Sequence, residues 1–147
     1  MHRVMDMSAK TYRRIALSLC CAGVLFSGYL AGTRYFTNEC AFGDPCPFFF
    51  GYPACYTGFT LFSTALLITL ASLRAALGAA WPMIANLVVG TIGSLFAAKM
   101  ALEELATRSS YRMGLPTCAY GFFFFLALAE ISVIALRARP GHAAPRA

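Results

Sequence analysis

The chain has 147 residues, a net charge of +6, and 59% hydrophobic against 12% charged residues, with a mean hydropathy of +0.66. A soluble domain carries about twice that share of charged residues on its surface, so the composition excludes an ordinary soluble fold. The basic excess sits in short stretches between long apolar ones, which also argues against a nucleic-acid-binding face.

Four apolar stretches follow in chain order: Ile15–Phe36, Tyr52–Leu73, Trp81–Leu102 and Thr117–Leu136. Each is about 20 residues long, enough to cross a bilayer core of about 30 Å as a helix. A backbone in lipid must satisfy its own hydrogen bonds, so the expected fold is all-α, a four-transmembrane-helix bundle forming a single membrane domain over 1–147. Arg3, Lys10, Arg13 and Arg14 precede the first span, Arg74 follows the second, and Arg137, Arg139 and Arg146 follow the fourth. The positive-inside rule puts these on the cytoplasmic side, with residues 1–14 and 138–147 as cytoplasmic tails. The opposite loops carry Arg34, Arg108 and Arg112 together with Glu39, Asp44, Glu103 and Glu104. The partner implied by this charge pattern is the lipid bilayer, with no nucleic acid. A basic start followed by Ile15–Phe26 also resembles a signal peptide. No clean small-x-small cleavage site follows, so the first helix is expected to stay uncleaved.

An internal repeat runs through the chain. At an offset of 63, Gly51–Ala76 and Gly114–Arg139 match at ten of 26 positions, among them Gly51/Gly114, Pro53/Pro116, Cys55/Cys118, Gly58/Gly121, Phe59/Phe122 and Phe62/Phe125. The first and third spans align more weakly at an offset of 70, through Leu17/Leu87, Gly23/Gly93, Leu25/Leu95, Phe26/Phe96 and Ala31/Ala101. The expectation is two parallel helical-hairpin repeats, about 15–76 and about 81–139, related by an axis along the membrane normal. The difference of seven residues between the offsets equals the length of "CAFGDPC" at 40–46, as if a cysteine pair had been inserted in the first outer loop.

Within the repeated motif, Pro53 and Pro116 suit a first helical position. Cys55 and Cys118 then fall in a first turn, where free N–H groups and the helix dipole favour a thiolate. Gly58 and Gly121, three residues on, are expected to let another helix approach closely. Four cysteines, Cys40, Cys46, Cys55 and Cys118, are thus placed toward the outer side, where oxidation is permitted. Three readings stay open for them. They form a thiol–disulfide relay, or two structural disulfides (Cys40–Cys46 and Cys55–Cys118), or a metal site. Spacings without C-x2-C pairs weaken the last, so no metal is assigned. Cys20 and Cys21 read as small packing residues.

A cysteine pair in the first outer loop, followed by "FGYP" entering the second of four membrane helices, resembles the vitamin K epoxide reductase and bacterial quinone-linked disulfide oxidase families. The resemblance covers about residues 35–60. It implies a loop pair, here Cys40 and Cys46, that passes electrons to a core pair beside a bound quinone. The core C-x-x-C of those families has no counterpart here, and Cys55 with Cys118 would have to replace it.

The aromatic residues Phe59, Phe62, Phe122 and Phe125 are the candidates to hold such a lipid-soluble acceptor. Glu130, about 10 Å inside the cytoplasmic interface, is expected to pair with Asn86 as polar glue between the third and fourth helices, with a proton path as the alternative reading. The functional expectation is an inner-membrane thiol–disulfide redox protein passing electrons to a lipid-soluble acceptor, a quinone being the natural candidate, with a periplasmic thiol protein as partner. The alternative is a non-catalytic small subunit of a larger membrane complex, its cysteines tied in structural disulfides.

Overall fold

The computed structural model describes residues 9–39, 41, 47–74, 80–107 and 116–138. Four helices account for most of them: α1 (Ala9–Thr37), α2 (Ala54–Arg74), α3 (Trp81–Thr107) and α4 (Thr117–Arg137). Each is long and apolar enough to cross a membrane, the architecture of a multi-pass membrane protein. The spans start and stop close to where hydropathy places them. The exceptions are α1, which is helical from Ala9, inside the stretch read as a tail, and buries Tyr12 there, and α3, which runs five residues past Leu102 to Thr107 and takes in Glu103 and Glu104. A two-stranded hairpin, β1 (Phe48–Phe49) and β2 (Tyr52–Pro53), leads into α2. Its turn is made by Phe50 and Gly51, both at positive φ, the backbone that tight two-residue hairpins require.

Much of the interior is built from small and polar side chains, while many large apolar ones face outward. Leu25, Leu67, Leu95, Leu102 and Phe123 are exposed, whereas Ala16, Cys20, Ala65, Ser72, Ala97 and Ser132 are buried. Lipid is as apolar as leucine, so helices in a membrane gain by close approach of small residues rather than by hiding large ones. The buried stripes also coincide between helices. In α2 the stripe is Phe62, Ala65, Thr69 and Ser72; in α4 it is Phe125, Leu128, Ser132 and Ala135, the same positions at the offset of 63. The α1 stripe of Ala16, Cys20, Gly23, Ser27 and Ala31 falls on buried Asn86, Gly90, Gly93, Ala97 and Ala101 of α3 at the offset of 70. Packing is most extensive between α1 and α2 and between α3 and α4, with α2 against α3 and α1 against α4 closing the ring. Gly90 permits the tightest of these approaches, since a Cβ there would stand 3.0 Å from backbone atoms of α4.

A buried polar knot ties all four helices at one level. Asn86 Nδ2 donates to the Tyr12 hydroxyl at 3.1 Å and to Thr69 Oγ1 at 3.0 Å. The Tyr12 hydroxyl and Ser132 Oγ share a bond of 3.3 Å. Thr69 and Ser132 each donate back to the carbonyl four residues earlier, which leaves their oxygens as acceptors. Asn86 therefore does not pair with Glu130, which is exposed. Glu130 stands two residues before buried Ser132, about 200° round the helix, so similar depth does not bring it to the same side. The knot also sets a datum along the bundle. Arg74 lies five residues past Thr69, Arg137 five past Ser132 and Trp81 five before Asn86, so all three mark one plane about 7.5 Å beyond the knot. We call this the basic end.

Candidate functional site

Toward the other end, Cys55 lies 14 residues before Thr69 and Cys118 lies 14 before Ser132, which places both about 21 Å from the knot. Each is the second residue of its helix, because α2 starts at Ala54 and α4 at Thr117. Pro53 and Pro116 stand just before the first helical position, one place earlier than the motif predicts; Pro116 is the N-cap of α4. The first-turn placement of both cysteines holds.

The two cysteines share one cavity of about 70 Å³. Its walls follow the repeat. Cys55, Gly58 and Phe62 come from α2, and Cys118, Gly121 and Phe125 from α4, each set spaced to fall along one face of its helix. Phe26 and Ser27 of α1 face the cavity together with Phe96 and Ala97 of α3, again at the offset of 70. Phe62 and Phe125 are almost wholly buried and form the floor toward the knot. Gly58 and Gly121 do not serve a close helix approach: nothing lies within 4 Å of a Cβ built at either. Their missing side chains are the space of the cavity itself.

Phe59 and Phe122, expected beside the same acceptor, lie outside the cavity walls. Phe59 is exposed and packs beside Gly28, about 60° round α2 from Phe62. Phe122 is half-buried against the Phe62 and Phe125 cluster. The described aromatic hairpin adds to this end of the bundle, as Phe49 meets Phe96 edge to face at 5.1 Å. Lys99 bonds Glu103 at 2.6 Å and lies over the Phe49 ring.

Cys55 and Cys118 are free thiols, as are Cys20 and Cys21, so no disulfide joins the described cysteines. Cys40 and Cys46 lie outside the described residues. Their chain neighbours Ala41 and Pro47 both line the cavity. Among the described residues no group of three or more metal-binding side chains gathers.

The two thiols are alike in position and differ in electrostatic surroundings. Glu104, buried on α3, brings its carboxylate within hydrogen-bonding reach of the Cys118 thiol, whereas the charge acting on Cys55 is the guanidinium of Arg34. Glu104 reads from the sequence as an outer-loop charge. A signal for its burial was present: Ala97, Met100, Ala101 and Glu104 recur at helical spacing, and all are buried.

Fold and site together define a four-helix membrane bundle with a two-cysteine apolar cavity near one membrane face. Comparison with protein-family models, curated proteins and solved structures finds no match for the chain.

Proposed function

We propose that the protein is a thiol–disulfide redox protein of a bacterial inner membrane, made of two parallel hairpin repeats. In this reading its basic end faces the cytoplasm with both termini, and its cavity faces the outer side. The observation that carries the redox reading is the convergence of Cys55 and Cys118, at equal depth, on one cavity floored by aromatic rings. The coincident buried stripes support the repeat, and the plane of Arg74, Trp81 and Arg137 supports the orientation.

In the reaction, the Cys55 and Cys118 thiols join in a disulfide. Their two electrons and two protons pass to a lipid-soluble acceptor of the quinone class, which leaves as quinol. Glu104 accepts the proton of the Cys118 thiol as the sulfur becomes a nucleophile. A thiol–disulfide exchange with the loop pair Cys40 and Cys46 then returns the cavity pair to the thiol form. That pair passes its disulfide to a periplasmic thiol protein. Ala41 and Pro47 in the cavity wall support this arrangement, since they flank the loop pair in the chain.

The test is differential thiol trapping of the protein in native membranes, poised across a redox series and read by mass spectrometry. Reversible titration of Cys55 with Cys118 near about −200 mV is the expected result. Pairs that stay oxidised below about −300 mV behave as structural disulfides. That result replaces this reading with a non-catalytic small subunit of a larger membrane complex.

A further inference from the structure

At the offset of 70 that aligns α1 with α3, Arg34 falls on Glu104. Each stands seven residues past a cavity-lining position, Ser27 on α1 and Ala97 on α3. Seven residues make about two turns, so both leave the cavity-facing side of their helices, about 10 Å farther from the knot than those wall residues. Packing is most extensive between α1 and α2 and between α3 and α4, which gives Arg34 to Cys55 and Glu104 to Cys118. The charges at the site follow this division: the guanidinium acts on Cys55, and the carboxylate is hydrogen-bonded to the Cys118 thiol. One repeat position thus carries opposite charges beside two cysteines that are otherwise equivalent.

Both charges are held in place. Arg34 donates to the Asn38 carbonyl and lies over the Phe48 ring, 5.8 Å from its centre. Glu104 is buried. Phe48 belongs to the hairpin that enters α2, and at its base Ala54 N donates to Pro47 O at 2.9 Å. Pro47, which follows Cys46 in the chain, is therefore bonded to the residue next to Cys55. In disulfide exchange the attacking sulfur is a thiolate, and a negative sulfur is better placed beside a cation than beside a carboxylate. The departing sulfur gains from a proton, and an acid hydrogen-bonded to it is a route for one.

We propose, on the redox reading above, that the two cysteines hold fixed and different roles. Cys55, beside Arg34, is the sulfur that an incoming thiol attacks, and Cys118, beside Glu104, is the sulfur that leaves. The attacking thiol gives up its proton, and its sulfur bonds to Cys55. The Cys55–Cys118 bond breaks with the electron pair on Cys118, and the released proton reaches that sulfur through Glu104. The products are a mixed disulfide on Cys55 and a thiol at Cys118, with no net change of charge. Attack in the opposite sense brings the negative sulfur against the Glu104 carboxylate. Arg34 makes and breaks no bond; it is a positioning residue for the attacking sulfur.

The experiment uses the full chain in detergent, and redox-poised thiol trapping comes first. A chain whose Cys55 and Cys118 form no reversible disulfide removes the redox reading and this proposal with it. The oxidised chain is then treated briefly with mercaptoethanesulfonate, an anionic thiol, quenched by alkylation, and the adduct is assigned to each cysteine by mass spectrometry. Adduct on Cys55 is expected to exceed adduct on Cys118 at least about tenfold. Equal adducts, or adduct mainly on Cys118, overturn the roles while leaving the redox reading in place. Cysteamine, a cationic thiol, supplies the second readout. Arg34→Gln is expected to lower the rate ratio of the anionic to the cationic thiol about fivefold or more, and Arg34→Lys to keep it within about twofold. A ratio that ignores Arg34→Gln overturns the proposal. If that variant fails to fold, the adduct position in the unaltered chain decides.

Discussion

Phe62 and Phe125 stack with ring centroids 3.9 Å apart and planes 8° from parallel, and each ring occupies the place where a glycine lacks a side chain. A Cβ on Gly23 would stand 2.3 Å from the Phe62 ring, and one on Gly93 would stand 2.4 Å from the Phe125 ring. The stack separates a close-packed half of the bundle, around the knot, from a hollow half, around the two thiols.

Gly23 and Gly93, against the stacked rings, should therefore respond oppositely to Gly58 and Gly121, in the cavity wall. Gly93→Ala forces the Phe125 ring from its stack and is expected to destabilise the fold by about 1–3 kcal/mol. Gly121→Ala meets nothing within 4 Å and is expected to leave stability unchanged or raise it by up to about 1 kcal/mol, while filling part of the cavity. Thermal unfolding in detergent, followed by circular dichroism, distinguishes the two; equal losses would contradict the geometry.

Asn86 is fully buried and donates to two helices at once. Asn86→Leu is expected to cost about 0.6–2 kcal/mol, the range of polar contacts between membrane helices. Tyr12→Phe removes the hydroxyl that Asn86 and Ser132 share. In a double-mutant cycle the two changes should couple by about 0.5 kcal/mol or more; strict additivity would mean that the knot contributes nothing as a unit.

Glu104 is the carboxylate placed to take a proton from Cys118. Glu104→Gln is expected to slow cavity thiol oxidation by a soluble quinone analogue about 100-fold, with helicity and unfolding temperature preserved. Glu104→Asp should recover part of the rate. A Gln variant that oxidises at the normal rate removes Glu104 from the chemistry and leaves it as packing.

At the hairpin, Gly51 has φ +82° with open space around it, so backbone conformation alone decides the effect of a substitution. Gly51→Ala is expected to cost roughly 1–2 kcal/mol locally. Faster hydrogen exchange over 47–53 with an unchanged global melting temperature is the signature, because the turn residues Phe50 and Gly51 are exposed.

The spans and the cavity's cysteine, glycine and phenylalanine positions were legible because both depend on spacing along a helix, which a sequence displays directly. The purpose of Gly58 and Gly121 was not, since a missing side chain permits either a close neighbour or an empty space. Asn86 and Glu130 were assigned to each other from depth alone; depth follows from counting residues, whereas facing depends on which neighbour each helix meets. Tyr12 went unnoticed because the apolar run begins only at Ile15, although α1 extends inward past it. Glu104 was masked by its charge, which outweighed the periodic burial of Ala97, Met100 and Ala101.

The knot has a mechanical consequence for a protein living in bilayers of varying thickness. Hydrogen bonds from Asn86 fix the helices against sliding past one another, so a thicker or thinner membrane is met by tilting the bundle as one body rather than by shearing it. A rigid tilt displaces the two ends of the bundle more than its middle, and Cys55 and Cys118 sit near one of those ends. Bilayer thickness thereby becomes a variable that raises or lowers the two thiols relative to the headgroups.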